Sequence, residues 1–554
     1  MSVSPEETAP QERRHIVLIF VGLITAMLLA SLSQTIFSIA LPTIVGELDG
    51  VNHMLWVTTA YILASTIVMP LYGKAGDLIG RKGLLIIAIS LFMAGSVVAG
   101  LSMGMTELII GRAVQGLGGG GLMILSQAII AEVVPARERG RYVGIMGGVF
   151  ALSSVAGPLL GGWFTESIGW RWCLWINLPL GALAIGSAIA FLHLPKRTIE
   201  RKPTDVLGMS LLALVSTSIV LVSVWAGNTY EWGSPIIIGL LAFSLLGGIA
   251  FVLQERRAAE PVMPLELFKD LNFNLTTASG LLIGVAMFGA IGYMPTYMQM
   301  VTGVDPTGAG LLMIPMMAGL LIASIVCGQA VTRTGRYKVY PIVGTGLVAV
   351  SLWLLSTMSA TGPIWVVCAH LTVMGVGLGM SMQILVLIVQ NSFPLRMVGT
   401  ATASNNYFRQ IGASLGAGVV GSLFATRLVN LLQERLSHIS GGASGAGSLN
   451  SLTPASVHEL PDAIREVVVA SYNDALAPVF LWLLPLAVVG AILLFFVRED
   501  PLAETLDAEE ELIESLGEGN LVGEVLEGAG VAHAAADTVA DADGSVANSG
   551  RARR

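Results

Sequence analysis

Two stretches decide the fold of this chain, GKAGDLIGRK at residues 73–82 and GQAVTRTGRYK at residues 328–338. Aligned, they share two glycines and one arginine at an interval of 255 residues: Gly73 with Gly328, Gly80 with Gly335, and Arg81 with Arg336. Each stretch connects two long apolar segments. A motif that recurs in the same orientation indicates a transporter built from two related helical bundles.

The composition is that of a membrane protein. Hydrophobic residues make up 54% of the 554 positions and charged residues 12%, whereas a soluble domain carries about 25% charged residues. Apolar segments of spanning length, about 20 residues, occur fourteen times: near 16–40, 53–73, 84–102, 107–130, 141–163, 171–194, 205–225, 235–254, 273–300, 309–331, 338–358, 363–390, 400–426 and 475–497.

Lysine and arginine are concentrated in alternate connections between these segments. One set carries basic residues throughout, from Arg13 and Arg14 near the N-terminus to Arg498, whereas the short connections of the other set are almost free of them. The positive-inside rule predicts that the first set, and with it both termini, lies in the cytoplasm. We therefore expect a multi-pass protein of the plasma membrane.

Nothing in the sequence indicates an enzyme, a metal site or a cofactor. Cys173, Cys327 and Cys368 lie far apart in apolar segments, without the spacing of a disulfide framework or a zinc site. GLGGGG (116–121) lies inside a predicted span and lacks the GK[ST] ending of a phosphate-binding loop. We expect no catalytic residue, no metal, no cofactor and no nucleic-acid partner.

The repeated stretch is predicted to be a hinge between helices. Glycine permits a tight turn and a close approach of helices, and Asp77 is predicted to cap the helix that follows it. The basic residues would hold the turn at the cytoplasmic face. The alternative is an ordinary loop that only sets orientation, although the pattern occurs twice at equivalent places.

Five segments in order carry a family resemblance: residues 73–82, LIIGRAVQGLGGGG (108–121), GGVFALSSVAGPLLGGW (147–163), WRWCLWINLPLG (170–181) and QNSFPLRMVGTATASNNYFRQIGASLG (390–416). They resemble the major facilitator superfamily, specifically its fourteen-span drug:proton antiporters of the QacA/EmrB type. The first three look like that superfamily's motif A, its fourth-helix motif and its fifth-helix antiporter motif. The resemblance covers about residues 15–500 and implies the all-α major facilitator fold, with six, two and six membrane helices.

The resemblance implies a division of the chain into five parts: a cytoplasmic N-terminal tail (1–15), an N-terminal six-helix bundle (16–200), two inserted helices (201–260), a C-terminal six-helix bundle (261–500) with an outer loop (427–474), and a tail (501–554). The tail begins with an acidic stretch and continues in Ala, Gly and Asp, a composition that predicts disorder. We expect a monomer in the lipid bilayer.

Two arginines lie inside predicted spans, where a cation is costly unless it is paired or hydrated. For Arg112 the resemblance implies a role in proton coupling or in organising the cavity, and Gln115 is placed to share its hydrogen bonds; the alternative is snorkelling to the outer interface. Arg409 and Gln410, midway along the thirteenth span, are predicted to face a cavity or the contact between bundles. A purely structural hydrogen bond is the alternative there.

The fifth span contains Gly157 and Pro158, followed by Gly161 and Gly162. A proline inside a helix removes one backbone hydrogen bond and bends the helix, and the glycines permit close packing. The resemblance implies that this segment controls alternating access and seals the transporter against leak. Plain helix packing is the alternative, and the two roles are compatible.

The first helix departs from the family pattern. LSQTIFSIALP (32–42) places Ser33 where the family has an aspartate, and no predicted span carries an acid at a clearly mid-membrane depth. Proton-coupled transporters usually bind the proton on a carboxylate. Two interpretations stay open: coupling through a peripheral acid such as Glu107, or transport without protons, as a facilitator or with another ion.

These features predict an exporter of amphiphilic small molecules or drugs that works by alternating access, with protons as the expected driving ion. Two arginines in the spans and no obvious cavity acid favour neutral or anionic amphiphiles over cations. The alternatives are a dedicated exporter of one metabolite or lipid, and a non-transporting sensor or scaffold that acts through the acidic tail. The complete fifth-helix motif argues against the last.

Overall fold

A computed structural model describes residues 5–48, 53–194, 205–227, 229–436, 457 and 460–504. The described residues up to Leu502 form one compact unit. Most of the predicted acidic tail, from residue 505 onward, lies outside the described residues, as do residues 437–456 of the predicted outer loop.

The described residues form α-helices and one short 3-10 helix (Leu265–Lys269), with no strand among them. In chain order the helices are α1 (Pro5–Glu47), α2 (Met54–Ile79), α3 (Arg81–Gly100), α4 (Met105–Val133), α5 (Ala136–Ser167), α6 (Trp172–Trp175), α7 (Asn177–Phe191), α8 (Val206–Trp225), α9 (Pro235–Glu255), α10 (Leu271–Ile291), α11 (Met294–Thr302), α12 (Pro306–Leu312), α13 (Ile314–Thr334), α14 (Val339–Ser356), α15 (Ile364–Asn391), α16 (Val398–Leu436) and α17 (Asp462–Phe495).

Among the described residues, fourteen helical segments are long and apolar enough to cross a membrane, which confirms the predicted number. Three of these spans join two helices each: α6 with α7, α10 with α11, and α12 with α13. We refer to α1–α7 as the N half and to α10–α17 as the C half. The end of the helices at which Gly80 and Gly335 lie is called the motif end.

Glycines set how closely the helices of the N half pack. α4 lies against both α2 and α3. A Cβ at Gly118 would lie 2.4 Å from the carbonyl oxygen of Ala88 in α3, and a Cβ at Gly120 would lie 2.3 Å from that of Ser65 in α2. Real side chains do not approach a backbone so closely, so glycine is required at both crossings. The GLGGGG segment is therefore a packing surface inside a helix.

The inserted helices α8 and α9 stand beside the contact between the halves. Leu212 of α8 belongs to one apolar cluster with Tyr407 and Ile411 of α16, and Leu71 of α2 packs against the same cluster. The hydroxyl groups of Ser216 in α8 and Tyr407 are 2.8 Å apart. The inserted pair thus packs on a helix of each half.

Several helix ends lie at other residues than the sequence predicted. α2 continues through six residues that were assigned to a connecting stretch and ends at Ile79, so only Gly80 separates it from α3. The predicted outer loop (427–474) is helical at both ends, because α16 runs to Leu436 and α17 begins at Asp462. In both places polar residues continue a helix beyond its apolar part, and hydropathy alone does not detect such an extension.

The ninth span is also broken where the sequence predicted one helix. α10 ends at Ile291 and α11 begins at Met294, with Pro295 in its first turn. Proline has no backbone N–H to continue the hydrogen-bond ladder of the preceding helix, which accounts for the break. The hydroxyl of Tyr293, at the break, donates to the carbonyl oxygen of Ala417 in α16 (2.9 Å).

Candidate functional site

Asp77 ties the end of α2 to the start of α16. Its Oδ1 accepts hydrogen bonds from Arg81 (2.7 Å) and from the backbone N–H of Gly399 (3.1 Å). Its Oδ2 accepts from the backbone N–H and from the hydroxyl of Thr400 (2.6 and 2.8 Å). A carboxylate in this place satisfies free N–H groups and meets the positive end of the helix dipole.

The prediction that Asp77 caps the helix following it is wrong. α3 begins after Gly80 without a side-chain cap. Asp77 is still within α2, because that helix continues to Ile79, and it reaches sideways to another helix. Its real partner belongs to the other half of the protein and lies more than 300 residues away in the sequence.

Arg81 reinforces the same junction from a fully buried position. Its guanidinium donates to Asp77 (2.7 Å), to Glu132 near the end of α4 (2.9 Å), and to the carbonyl oxygens of Ala128 (2.7 Å) and Leu395 (3.0 Å). These bonds give partners to both terminal nitrogens of the guanidinium, and a buried ion pair needs such additional hydrogen bonds. Arg81 therefore joins α2, α4 and the segment that leads into α16.

Glycines allow the two helices of this junction to touch. A Cβ at Gly73 would lie 2.4 Å from the Cβ of Ala403 and 2.6 Å from the carbonyl oxygen of Gly399 in α16. Gly80 has a φ of 95°, in the region that favours glycine, and makes the tight turn into α3. The predicted roles of these two glycines in close approach and turning match their geometry.

The second copy of the motif occupies an equivalent crossing between α13 and α5. A Cβ at Gly328 would lie 2.3 Å from the carbonyl oxygen of Gly140, and the hydroxyl of Ser324 donates to the carbonyl oxygen of Gly144 (2.9 Å). Gly335 ends α13 with a φ of 71°. Each half thus presents its repeated glycine to the other half.

The two copies differ in their charged residues. Thr332 stands at the position equivalent to Asp77, and Arg336, unlike Arg81, is exposed. Without an acid at position 332, a buried arginine at 336 would have no matching partner on its own helix. The repeated arginines therefore have different surroundings, which the alignment of the two stretches did not predict.

A buried polar contact joins α4, α15 and α16 above the motif end. Asn406 donates to the side-chain oxygen of Gln127 (3.0 Å), and Gln390 donates to the carbonyl oxygen of the same glutamine (3.2 Å). Arg409 hydrogen-bonds the side-chain oxygen of Asn406. Arg409 thus lies next to Asn406, which makes the contact between the halves, and Gln410 is half-buried. A cavity or inter-bundle role for Arg409 and Gln410 stays a prediction.

Arg112 lies fully buried in α4, about 10 Å from the helix end opposite the motif end. It donates to the side-chain oxygen of Gln115 (2.5 Å) and to the hydroxyl of Ser33 in α1 (3.3 Å). Its guanidinium carbon lies 4.4 Å from the ring centres of both Phe37 and Tyr61. The site thus brings together three residues that the sequence singled out separately.

No carboxylate forms an ion pair with Arg112 among the described residues. Two aromatic faces attract the guanidinium instead, each by a cation–π contact worth about 0.5–2 kcal/mol. Such contacts orient the cation but leave its charge in place. The missing first-helix acid therefore leaves a net positive charge at this site, next to Ser33.

The hydrogen-bond network extends beyond the residues that sequence reasoning identified. Gln115 donates to the hydroxyl of Ser96 in α3 (2.8 Å), and that hydroxyl also accepts from Asn177 in α7 (3.2 Å). Ser96 and Asn177 are fully buried. Asn177 could have been identified from the sequence, because it is an asparagine inside a membrane-spanning segment.

Glu107 is not part of this network. It lies exposed in the first turn of α4, where its Oε2 accepts a hydrogen bond from the backbone N–H of Met103 (2.7 Å). Arg112 is five residues further along, about 7.5 Å along the helix axis. The structure therefore places Glu107 at the rim of the helix and does not join it to Arg112.

Gly157 and Gly161 of the fifth-helix motif face α1. A Cβ at Gly157 would lie 2.1 Å from the Oγ1 of Thr35, and a Cβ at Gly161 would lie 2.6 Å from the carbonyl oxygen of Ile36. Gly162 is half-buried. α5 runs without interruption across Pro158, whose Cβ lies near α12 in the C half. This helix thus packs tightly inside the N half and reaches the other half as well.

The polar contacts described above that cross between the halves lie within about 15 Å of the motif end. At the opposite end, two polar contacts of the described residues each lie within one half. Glu47 of α1 binds Arg171 and Trp170, and these hydrogen bonds hold the pKa of Glu47 below its usual value. Arg435 of α16 pairs with Asp474 of α17 (2.6 Å). The halves are therefore locked together at the motif end.

Comparison with known proteins agrees with this architecture. Residues 23–417 match the Major Facilitator Superfamily. The chain is 41% identical to an uncharacterized MFS-type transporter of Mycobacterium tuberculosis, over 91% of this chain and 72% of that protein. It is 34% identical to the multidrug transporter protein MdtP of Bacillus subtilis, over 87% of this chain and 93% of that one.

The fold is also that of solved structures. The proton:xylose symporter XylE superimposes with a TM-score of 0.55 at 16% identity, over 90% of this chain and 99% of XylE. Members of this superfamily are transporters and not enzymes, and with fourteen spans this one is a multi-pass protein of the cell membrane. The chain belongs to the major facilitator superfamily.

Proposed function

We propose that this transporter exports amphiphilic compounds, including drugs, by proton antiport and alternating access. Its similarity to a multidrug transporter over almost the whole length of both chains supports export. The junction between the halves at the motif end supports alternating access, since a transporter must close one end while the other opens. By the positive-inside rule the motif end and both termini face the cytoplasm.

The positive charge of Arg112, which no acid among the described residues neutralises, supports the proposed substrate class. The guanidinium is buried between Phe37 and Tyr61, and in the described part of the chain no acid pairs with it. A buried charge of one sign repels ligands of the same sign and favours the opposite sign. Neutral or anionic amphiphiles are therefore the proposed substrates, in preference to lipophilic cations.

Proton coupling needs a group that gains and loses a proton during the cycle. Ser33 cannot serve, because a hydroxyl does not ionise in the physiological range. Within α4, Glu107 is the acid that reaches water at the end opposite the motif end. We keep it as the candidate proton carrier, acting on the Arg112 network through the first turns of its own helix.

The direct test is transport in reconstituted vesicles under an imposed pH gradient, with cationic, neutral and anionic fluorescent amphiphiles. We expect the pH gradient to drive transport of several neutral or anionic compounds. Arg112→Ala should abolish that transport and leave membrane insertion intact, whereas Arg256→Ala, which removes an exposed arginine, should not change it. Transport of cations alone, or of no compound in the panel, would contradict the proposal.

A further inference from the structure

Two carboxylates are buried together at the motif end of the inserted helices. Asp205 immediately precedes α8 and is 8% exposed, and Glu255 is the last residue of α9 and is 3% exposed. Acids are almost never buried so completely unless they are paired. Neither residue belongs to the Arg112 site or to the junction around Asp77.

The two side chains meet over Gly208. A Cβ placed on this glycine would lie 2.2 Å from Oδ2 of Asp205 and 3.0 Å from Oε1 of Glu255, so the two oxygens can be no farther apart than 5.2 Å. Oδ1 of Asp205 is occupied, because it accepts from the backbone N–H of Gly208 (2.9 Å) and from Gln254 (2.9 Å). Oδ2 is buried and has no hydrogen-bond partner in the described part of the chain.

Among the described residues, no charge next to this pair neutralises it. The ammonium of Lys74 in α2 lies 2.7 Å from Glu260 and is already paired. Arg256 and Arg257, next in the chain, are exposed. In the part of the chain that the structure describes, Glu255 itself accepts from backbone N–H groups alone, those of Val262 (3.3 Å) and Met263 (3.0 Å).

We propose that Asp205 and Glu255 form a proton-binding site, in which one proton is shared between Oδ2 of Asp205 and Oε1 of Glu255. Two adjacent buried carboxylates disfavour each other's charge, so one of them keeps its proton. The proton supplies the donor that Oδ2 lacks. It comes from water at the motif end and returns there, and no other bond forms or breaks.

The site is placed to influence the junction between the halves. Glu255 holds the backbone of Val262 and Met263, whose side chains pack in the cluster with Tyr407 and Ile411 of α16. Glu260, two residues earlier, pairs with Lys74 of α2. When the proton leaves, Asp205 repels Glu255, and the hydrogen bonds that Glu255 accepts from Val262 and Met263 weaken. Residues 260–263 therefore become less ordered at high pH.

The first measurement is infrared difference spectroscopy of the full chain between about pH 5 and pH 9. The wild type should show a protonated carboxyl band that disappears as the pH rises. Asp205→Asn and Glu255→Gln should each remove this band, whereas Glu266→Gln, which changes an exposed acid of the same segment, should retain it. A wild type without the band, or a band unchanged in both variants, overturns the proposal.

Hydrogen exchange provides a second measurement that does not depend on transport. After correction for intrinsic exchange, the amides of Val262 and Met263 should exchange about tenfold faster at the high pH in the wild type. Asp205→Asn keeps the Oδ1 acceptor and replaces the proton by a permanent amide donor, so its exchange should stay slow at both pH values. Exchange that responds to Na⁺ or K⁺ instead of pH would identify a metal-cation site and overturn the proton assignment.

Discussion

Replacing Asp77 by asparagine should open the motif end. The carboxylate accepts three hydrogen bonds across the contact between the halves, from the N–H groups of Gly399 and Thr400 and from the Thr400 hydroxyl. The asparagine carboxamide keeps one acceptor oxygen, but its NH₂ group then faces N–H and O–H groups that are themselves donors. Two charge-assisted bonds are lost, each worth about 1.5–3 kcal/mol, together with the favourable charge at the start of α16.

Part of this loss is recovered by hydration when the junction opens, so we expect the closed state to be destabilised by about 3 kcal/mol. Since every 1.4 kcal/mol is a factor of ten, this shifts the equilibrium about a hundredfold. Spin labels at Ile79 and Arg396, both exposed at the motif end, would report the change as a longer distance in pulsed electron paramagnetic resonance. The three native cysteines must first be replaced.

Asp305→Asn is the matched control, because Asp305 caps α12 at the opposite end through the N–H of Gly308 (2.8 Å). It removes the same charge from a helix N-terminus without touching the junction. The labels should report the wild-type distance in this variant. If Asp77→Asn also keeps the wild-type distance distribution, the carboxylate does not lock the halves and the account of the motif end is wrong.

Three further substitutions test the remaining sites. Ser33→Asp places a carboxylate within reach of Arg112 and should shift the transported dyes towards cations; an unchanged substrate profile would count against the charge argument. Gly161→Val forces a side chain onto the α1 backbone and should destabilise the protein by about 3 kcal/mol in thermal unfolding, whereas Gly186→Val, at a glycine with open space around it, should have little effect. Glu107→Gln should uncouple transport from the pH gradient, and full coupling in that variant would remove Glu107 as the proton carrier.

The number of spans and their approximate positions could be predicted because apolar length is a local property of the sequence. The turn glycines were also predictable, since Gly80 and Gly335 need a positive φ that other residues adopt at a cost. The exact helix ends were not, because Lys74 and Asp77 continue α2 beyond its apolar part.

Contacts between segments that are far apart in the chain could not be predicted from the sequence. Asp77 was assigned to the nearest helix start, whereas its partners belong to α16. Arg112 and Ser33 were singled out for separate reasons, and only the fold shows that they touch. Asp205 and Glu255 stand at the ends of spans, where acids are ordinarily hydrated, so their burial could not be read from their positions in the chain.

Coupling of export to protons through the N half can be tested by measuring the proton movement that substrate drives. Vesicles containing the protein and a pH-sensitive dye would receive an outward gradient of an anionic or neutral amphiphile without any pH gradient. We predict that substrate leaving the vesicles drives protons in and acidifies the lumen, and that Arg112→Ala abolishes the signal. Substrate movement that leaves the luminal pH unchanged would contradict it.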